Sequence, residues 1–167
     1  MATQLWHERA WLNPSTAELG RWRAHAHVML GGQHLVGDWE DGRLYVLDLD
    51  YFQDDADPIK RIRAAPTIEQ QQYRLFYSML QIDMETGVGT ESGQGASPVL
   101  MLRYSNDGGH TWSNERTATV GQQGEYASRC VFWRLGMGRN RVWEISMTDP
   151  VRFAVFGALV EAEQGVA

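Results

Sequence analysis

The chain has 167 residues, 43% of them apolar and 22% charged, a balance that belongs to folded globular proteins and excludes disordered and fibrous classes. Its net charge of −6 does not suit a free-standing nucleic-acid binder, whose affinity comes from neutralising phosphates with Lys and Arg. One cysteine, Cys130, excludes an intrachain disulfide, and a four-ligand structural zinc site would have to rest mainly on histidines.

The longest near-apolar stretch, Arg152 to Val160, is about half of what a bilayer-crossing helix needs, and the first residues lack the basic-then-apolar layout of a signal peptide. The reading is a soluble, unexported protein with no membrane partner. Of the 15 basic residues only Lys60 is a lysine, and seven Trp accompany the arginines. Both residue types are enriched at protein interfaces, although a base bias of the genome toward Arg accounts for the first equally well.

Glycine occurs 17 times, and short alternating runs recur about every ten residues between Gly, Asp and Asn, which is the pattern of an all-β chain. Ala24 to Leu30 reads as a strand, Gly31-Gly32 as a turn and Gln33 to Gly37 as the returning strand of a hairpin. After a turn at Asp38 to Gly42, Arg43 to Asp48 alternates polar and apolar residues as a third strand. This meander is the size of one propeller blade; it buries one face at most and needs something to pack against. Asp54 to Pro58 is a loop, Ile59 to Arg63 a short extended piece, and Pro66 bars a helix through Ala65. The expected division is a blade-like meander with an N-terminal arm over 1–65 and a β-sandwich over 66–167.

Tyr73 to Met84 is apolar at Leu75, Tyr77 and Met79 and then, after a slip of one residue, at Leu80, Ile82 and Met84. A bulged strand shows that pattern, with an amphipathic helix as competitor. The Gly-rich stretch 85–98 has no apolar period and is expected as a long exposed loop or arm. Val99 to Tyr104, Ala118 to Val120, Arg129 to Leu135, Val142 to Met147 and Phe153 to Val160 then follow as the strands of the sandwich.

The sharpest motif is Ser105-Asn106-Asp107-Gly108-Gly109-His110-Thr111-Trp112, which fits the Asp-box pattern S-x-D-x-G-x-T-W through Ser105, Asp107, Gly109, Thr111 and Trp112. Asp107 can accept backbone N–H bonds across the turn, Gly109 can take a positive φ, and Trp112 can fold back as an apolar lid. The motif therefore specifies a hairpin and carries no chemistry of its own. A glycosidase would need an arginine cluster, a nucleophile and an acid gathered from several such blades. No nucleophile elbow surrounds any serine, and Cys130 lies within an apolar strand, so no catalytic residue is assigned. His25 and His27 share one strand face near His34, but no acidic or cysteine ligand is placed beside them, and no metal or cofactor is expected. Gly87-x-Gly89 and Gly93-x-Gly95 lack the following helix and basic residue of a phosphate cradle. Arg134, Arg139 and Arg141 flank Gly136 and Gly138 in a basic turn; with Trp6, Arg9, Trp22 and Arg23 they form the candidate interface set.

Several segments carry a family likeness in order along the chain: Trp6-His7-Glu8-Arg9, Gly20-Arg21-Trp22-Arg23, Val36-Gly37-Asp38 with Gly42-Arg43-Leu44-Tyr45, and Gln81 to Gly87. Leu102 to Ser113, Gly121 to Tyr126, Arg134-Leu135-Gly136 with Arg139, and Thr148 to Val151 continue it. The chain resembles the C-terminal part of the packaged DNA stabilization proteins, the tail accessory factors of short-tailed bacteriophages. That resemblance implies a non-catalytic virion protein of the tail or neck, made in the host cytoplasm. It also implies a homo-oligomeric ring of six subunits below the portal and adaptor proteins. Such a ring closes the channel on packaged DNA without sequence-specific binding and offers sites to the tail needle and tailspikes. A carbohydrate-binding β module, using aromatics such as Trp11 and Trp39, is the competing function.

Overall fold

In the computed structural model, residues 8–71 and 73–165 are described. Every regular element among them is a strand, as an all-β chain requires, and the chain divides into two compact units, Met1–Ile59 and Lys60–Ala167.

The first unit opens with a small hairpin, β1 (Ala10–Leu12) and β2 (Leu19–Arg21), paired through Trp11 opposite Gly20. The expected meander follows as β3 (Ala24–Leu30), β4 (Gln33–Asp38) and β5 (Leu44–Leu47), hydrogen-bonded in that order. Gly31 and Gly32 turn the first corner with φ of 59° and 82°, values a Cβ would strain. The register sets Val28, Leu35 and Val46 side by side, whereas His27, Val36 and Tyr45 share the opposite face. Val36 is buried, but Val28 is 57% exposed, Leu30 66% and Leu44 73%, so one aliphatic face of the meander remains open. A two-residue pairing, β6 (Gln53–Asp54) with β7 (Asp57–Pro58), completes this unit.

The second unit is a sandwich. One sheet runs β11 (Arg116–Thr119), β10 (Val99–Ser105), β14 (Val142–Met147) and β8 (Arg61–Ala64), all antiparallel. The other is built on β9 (Leu75–Met84), with β12 (Cys130–Trp133) and β13 (Met137–Gly138) along one side and β15 (Val155–Gln164) along the other. The period of two turns Leu100, Leu102, Trp143, Ile145 and Met147 inward from the first sheet, onto Tyr77, Leu80, Ile82 and Phe132 of the second. Leu100 and Met147 are fully buried, and at about 1.5–3 kcal/mol per side chain such residues supply most of the drive to fold. Arg116 fastens the two sheets at one side, its guanidinium donating to the carbonyls of Trp133 at 2.9 Å and Arg134 at 3.0 Å.

The slip expected in Tyr73 to Met84 is a β-bulge. Glu161 pairs with Met79 and Ala162 with Tyr77, leaving Ser78 as the extra residue, so burial moves from Leu75 and Tyr77 to Leu80, Ile82 and Met84. Two expectations are corrected. Arg61–Ala64 pairs with Glu144 to Met147 and belongs to the sandwich sheet, so the units part between Ile59 and Lys60 rather than after Ala65. The stretch 85–98 is not an exposed arm, because Gly87, Gly89, Gly95 and Pro98 are buried. A Cβ on Gly89 would lie 2.9 Å from the backbone N of Gln123, and the Gly124 N–H donates to the Gly87 carbonyl at 3.1 Å. Glycine lets two backbones pack together here, a use that apolar periodicity does not reveal.

Candidate functional site

The Asp-box residues occupy the connection between β10 and β11. Ser105 is buried at the end of β10; its hydroxyl donates to Asp107 Oδ1 at 2.6 Å and accepts the Gly109 N–H at 2.8 Å. Asp107 also takes the Thr111 N–H on Oδ1 at 2.9 Å and the Thr111 hydroxyl on Oδ2 at 2.6 Å. Hydrogen bonds from Ser105 first, then Thr111, hold the Asp107 carboxyl well below the usual carboxylate range. Gly108 and Gly109 turn the chain with φ of 76° and 100°. Trp112 is half-buried, and the Arg103 guanidinium lies 4.6 Å from its ring centroid while donating to Glu144 Oε1 at 2.6 Å. The hydroxyls of Ser105 and Thr111 and both carboxylate oxygens of Asp107 are engaged in closing the turn itself.

Behind the box lies a residue that the sequence reading assigned to an interface. Arg141 is 1% exposed, so it is no surface group, and that assignment is corrected. Its guanidinium donates to Asn106 Oδ1 at 2.8 Å, the Leu135 carbonyl at 2.6 Å and the Met137 carbonyl at 2.7 Å. Three rings enclose it, with centroids at 4.1 Å for Tyr104, 4.5 Å for Tyr77 and 5.1 Å for Trp143. Among the described residues no carboxylate forms an ion pair with it, so carbonyl dipoles and aromatic faces carry the charge, and burial lowers its pKa. The signal was present in the sequence, because residue 141 has the same strand parity as inward-facing Trp143, Ile145 and Met147. Reading it as a member of a glycine-rich basic turn hid that parity.

The other candidates divide. Arg134 and Arg139 are exposed, and Arg134 adopts a φ of 55°, a conformation that costs a non-glycine residue energy. Arg23 is committed within its own unit: Nε donates to Asp38 Oδ2 at 2.7 Å, and the guanidinium also meets Glu40 and Asp41. Burial raises the Asp38 carboxyl, but backbone N–H groups of Glu40 and Asp41, Arg23 and the Tyr45 hydroxyl outweigh it and hold the pKa at about 2. Arg9 lies over the Trp22 ring at 5.1 Å, whereas Trp6 falls outside the described residues. Trp11 and Trp39, the candidate sugar platforms, each have one face taken, by Arg23 at 5.3 Å and Arg21 at 4.8 Å. His27 and His34 stack and share a hydrogen bond of 2.9 Å, and no group of three or more metal-ligating side chains forms among the described residues. Cys130 is buried, which pushes its thiol up to about 12.

Sequence reasoning did not find the apolar outer side of the β9 sheet. Trp133 is 59% exposed and Leu159 60%, and Phe76 and Met137 are also open, all on strands whose inward residues fill the core. Alternation was the available signal: these strands are apolar at both parities, as in sheets covered on two sides.

A turn closed by its own hydrogen bonds and tied to the core through Asn106 and Arg141, together with apolar sheet faces left open, sits on a β-sandwich module. The chain belongs to the family described as Bacteriophage P22 Gp10, beta-sandwich, which matches residues 60–163 and so spans the second unit almost end to end. It is thereby a structural phage protein associated with the tail. No curated protein matches the chain.

Proposed function

We propose that this protein is a non-catalytic component of the phage tail or head-to-tail connector, assembling as a ring below the portal and adaptor, retaining packaged DNA and supporting attachment of other tail proteins. The observation that carries the reading is the family match over residues 60–163. The open aliphatic face of the meander and the apolar outer side of the β9 sheet support it, since apolar area of that extent on a soluble protein is normally covered by a neighbour. A head-to-tail contact repeated around an axis closes into a ring and covers such faces on every copy alike. A net charge of −6 suits a wall along which DNA passes without adhering.

The test is native mass measurement of the purified full chain, alone and mixed with the portal and adaptor proteins of the same phage. A discrete oligomer, or a defined complex with those proteins, is expected. A chain that stays a single copy under both conditions overturns the reading.

A further inference from the structure

Two strands dominate the free sheet edges of the described residues. β15 is ten residues long and pairs only with β9, and β3 is seven residues long and pairs only with β4. The other edge strands among the described residues have four residues at most. Long open edges are usually blunted by Lys, Pro or a covering loop, yet neither strand contains Lys or Pro and both are largely exposed along their length.

We propose that β15 of one copy receives β3 of a neighbouring copy as an added antiparallel strand; this deepens the assembly reading above and rests on it. The register follows from the side chains. With Leu159 opposite Met29, Glu161 faces His27, while Val160 meets Val28, Ala158 meets Leu30 and Ala162 meets Ala26; the bulge at His25 ends the regular ladder there. Glu161 gains an imidazole donor, and within the regular ladder Ala158, Leu159, Val160 and Ala162 each meet an aliphatic residue or Met. A slip of one residue sets Glu161 against Ala26 or Val28. Self-pairing of β15 centred on Leu159 sets it against Gly157.

The faces agree as well. Ala158, Val160 and Ala162 lie opposite Ile82, Leu80 and Tyr77, on the core-facing side of their sheet. Val28 shares its face with Leu35 and Val46. In the proposed register the open aliphatic face of the meander runs on from the core-facing side of the sandwich sheet. A ladder of the five residues Ala26 to Leu30 is small against the roughly 800 Å² per partner of a standard interface, so one contact is weak. Because one edge belongs to the first unit and the other to the second, each copy gives one strand and receives one, and a closed array doubles the contacts per copy.

The experiment uses full-length Met29→Cys and Leu159→Cys variants, with native Cys130 kept silent by its burial and raised pKa. Under mild oxidation the mixture should give a covalent dimer that neither variant gives alone. A same-variant dimer indicates self-pairing and overturns the proposal, as does efficient ring closure within one chain of the double variant at high dilution. In parallel, Glu161→Arg should associate about threefold more weakly, and mixing it with His27→Glu should restore association. Association and cross-linking that ignore these changes sink the strand pairing and leave the assembly reading intact. A wild-type chain that never associates sinks both.

Discussion

Replacing Arg141 with Met keeps an unbranched side chain of similar length in the core and removes the guanidinium. Buried ion pairs often survive such replacement because the new apolar contacts offset what is lost. The balance differs here because the partners stay behind: the Leu135 and Met137 carbonyls and Asn106 Oδ1 all lose their donor in one step. The Leu135 carbonyl, which is buried, costs about 1–3 kcal/mol when left unpaired, the part-buried Met137 carbonyl and Asn106 Oδ1 cost less, and the desolvated contact with three rings is worth about 2 kcal/mol more. Relief of the guanidinium's own desolvation returns part of this, so the expected net loss is about 3–5 kcal/mol. For a chain of this size that lowers the melting temperature by roughly 10 °C. Urea unfolding followed by tryptophan fluorescence measures it, with hydrogen exchange along Val142–Met147 locating the loss. Arg141→Lys should be no milder, since one ammonium cannot span the three acceptors. A loss below about 1 kcal/mol for Arg141→Met would refute the view that this cation anchors the Asp-box turn to the core.

Leu100→Ala, at a fully buried position of the sandwich, should cost about 2–5 kcal/mol in the same unfolding measurement. Gly89→Ala should destabilise the chain and speed proteolytic cleavage within 85–98, because the added methyl meets the backbone N of Gln123 at 2.9 Å; unchanged protease resistance would contradict the packing described. The first unit should lose stability in acid: Asp38 has its folded pKa depressed to about 2, so its contribution is present above the unfolded value of about 3.9 and disappears as pH falls through about 2. Circular dichroism of wild type and Asp38→Asn across that window checks this, the variant losing the acid-dependent part.

Much of the architecture was legible because it rests on short-range rules. Period-two alternation located Val99–Ser105 and Val142–Met147, paired glycines located the β3–β4 turn, and the slip at Ser78 showed as a shift in apolar phase. What escaped depends on long-range geometry. Residues 85–98 have no apolar period because their glycines admit neighbouring backbone rather than bury side chains, so they read as solvent-exposed. Arg141 looked like a surface cation because its burial depends on rings and carbonyls brought by Tyr77, Tyr104, Leu135 and Met137. The hydrogen bonds around Asp107 close within seven residues and so depend on local sequence alone; the open outer face of the β9 sheet emerged only once the register was known.

The placement of β9 between partners that come late in the chain sets an order on synthesis. Its neighbours begin at Cys130 and Val155, so after Met84 one edge stays unsatisfied until Cys130–Trp133 and the other until Val155–Gln164 has been translated. Ribosomes deliver residues more slowly than strands collapse, and the nascent apolar ribbon Leu75–Met84 must be sheltered until Val155–Gln164 has emerged. Premature termination anywhere between those two points releases a fragment with an open apolar strand edge, and yield in a recombinant host should rise with chaperone supply.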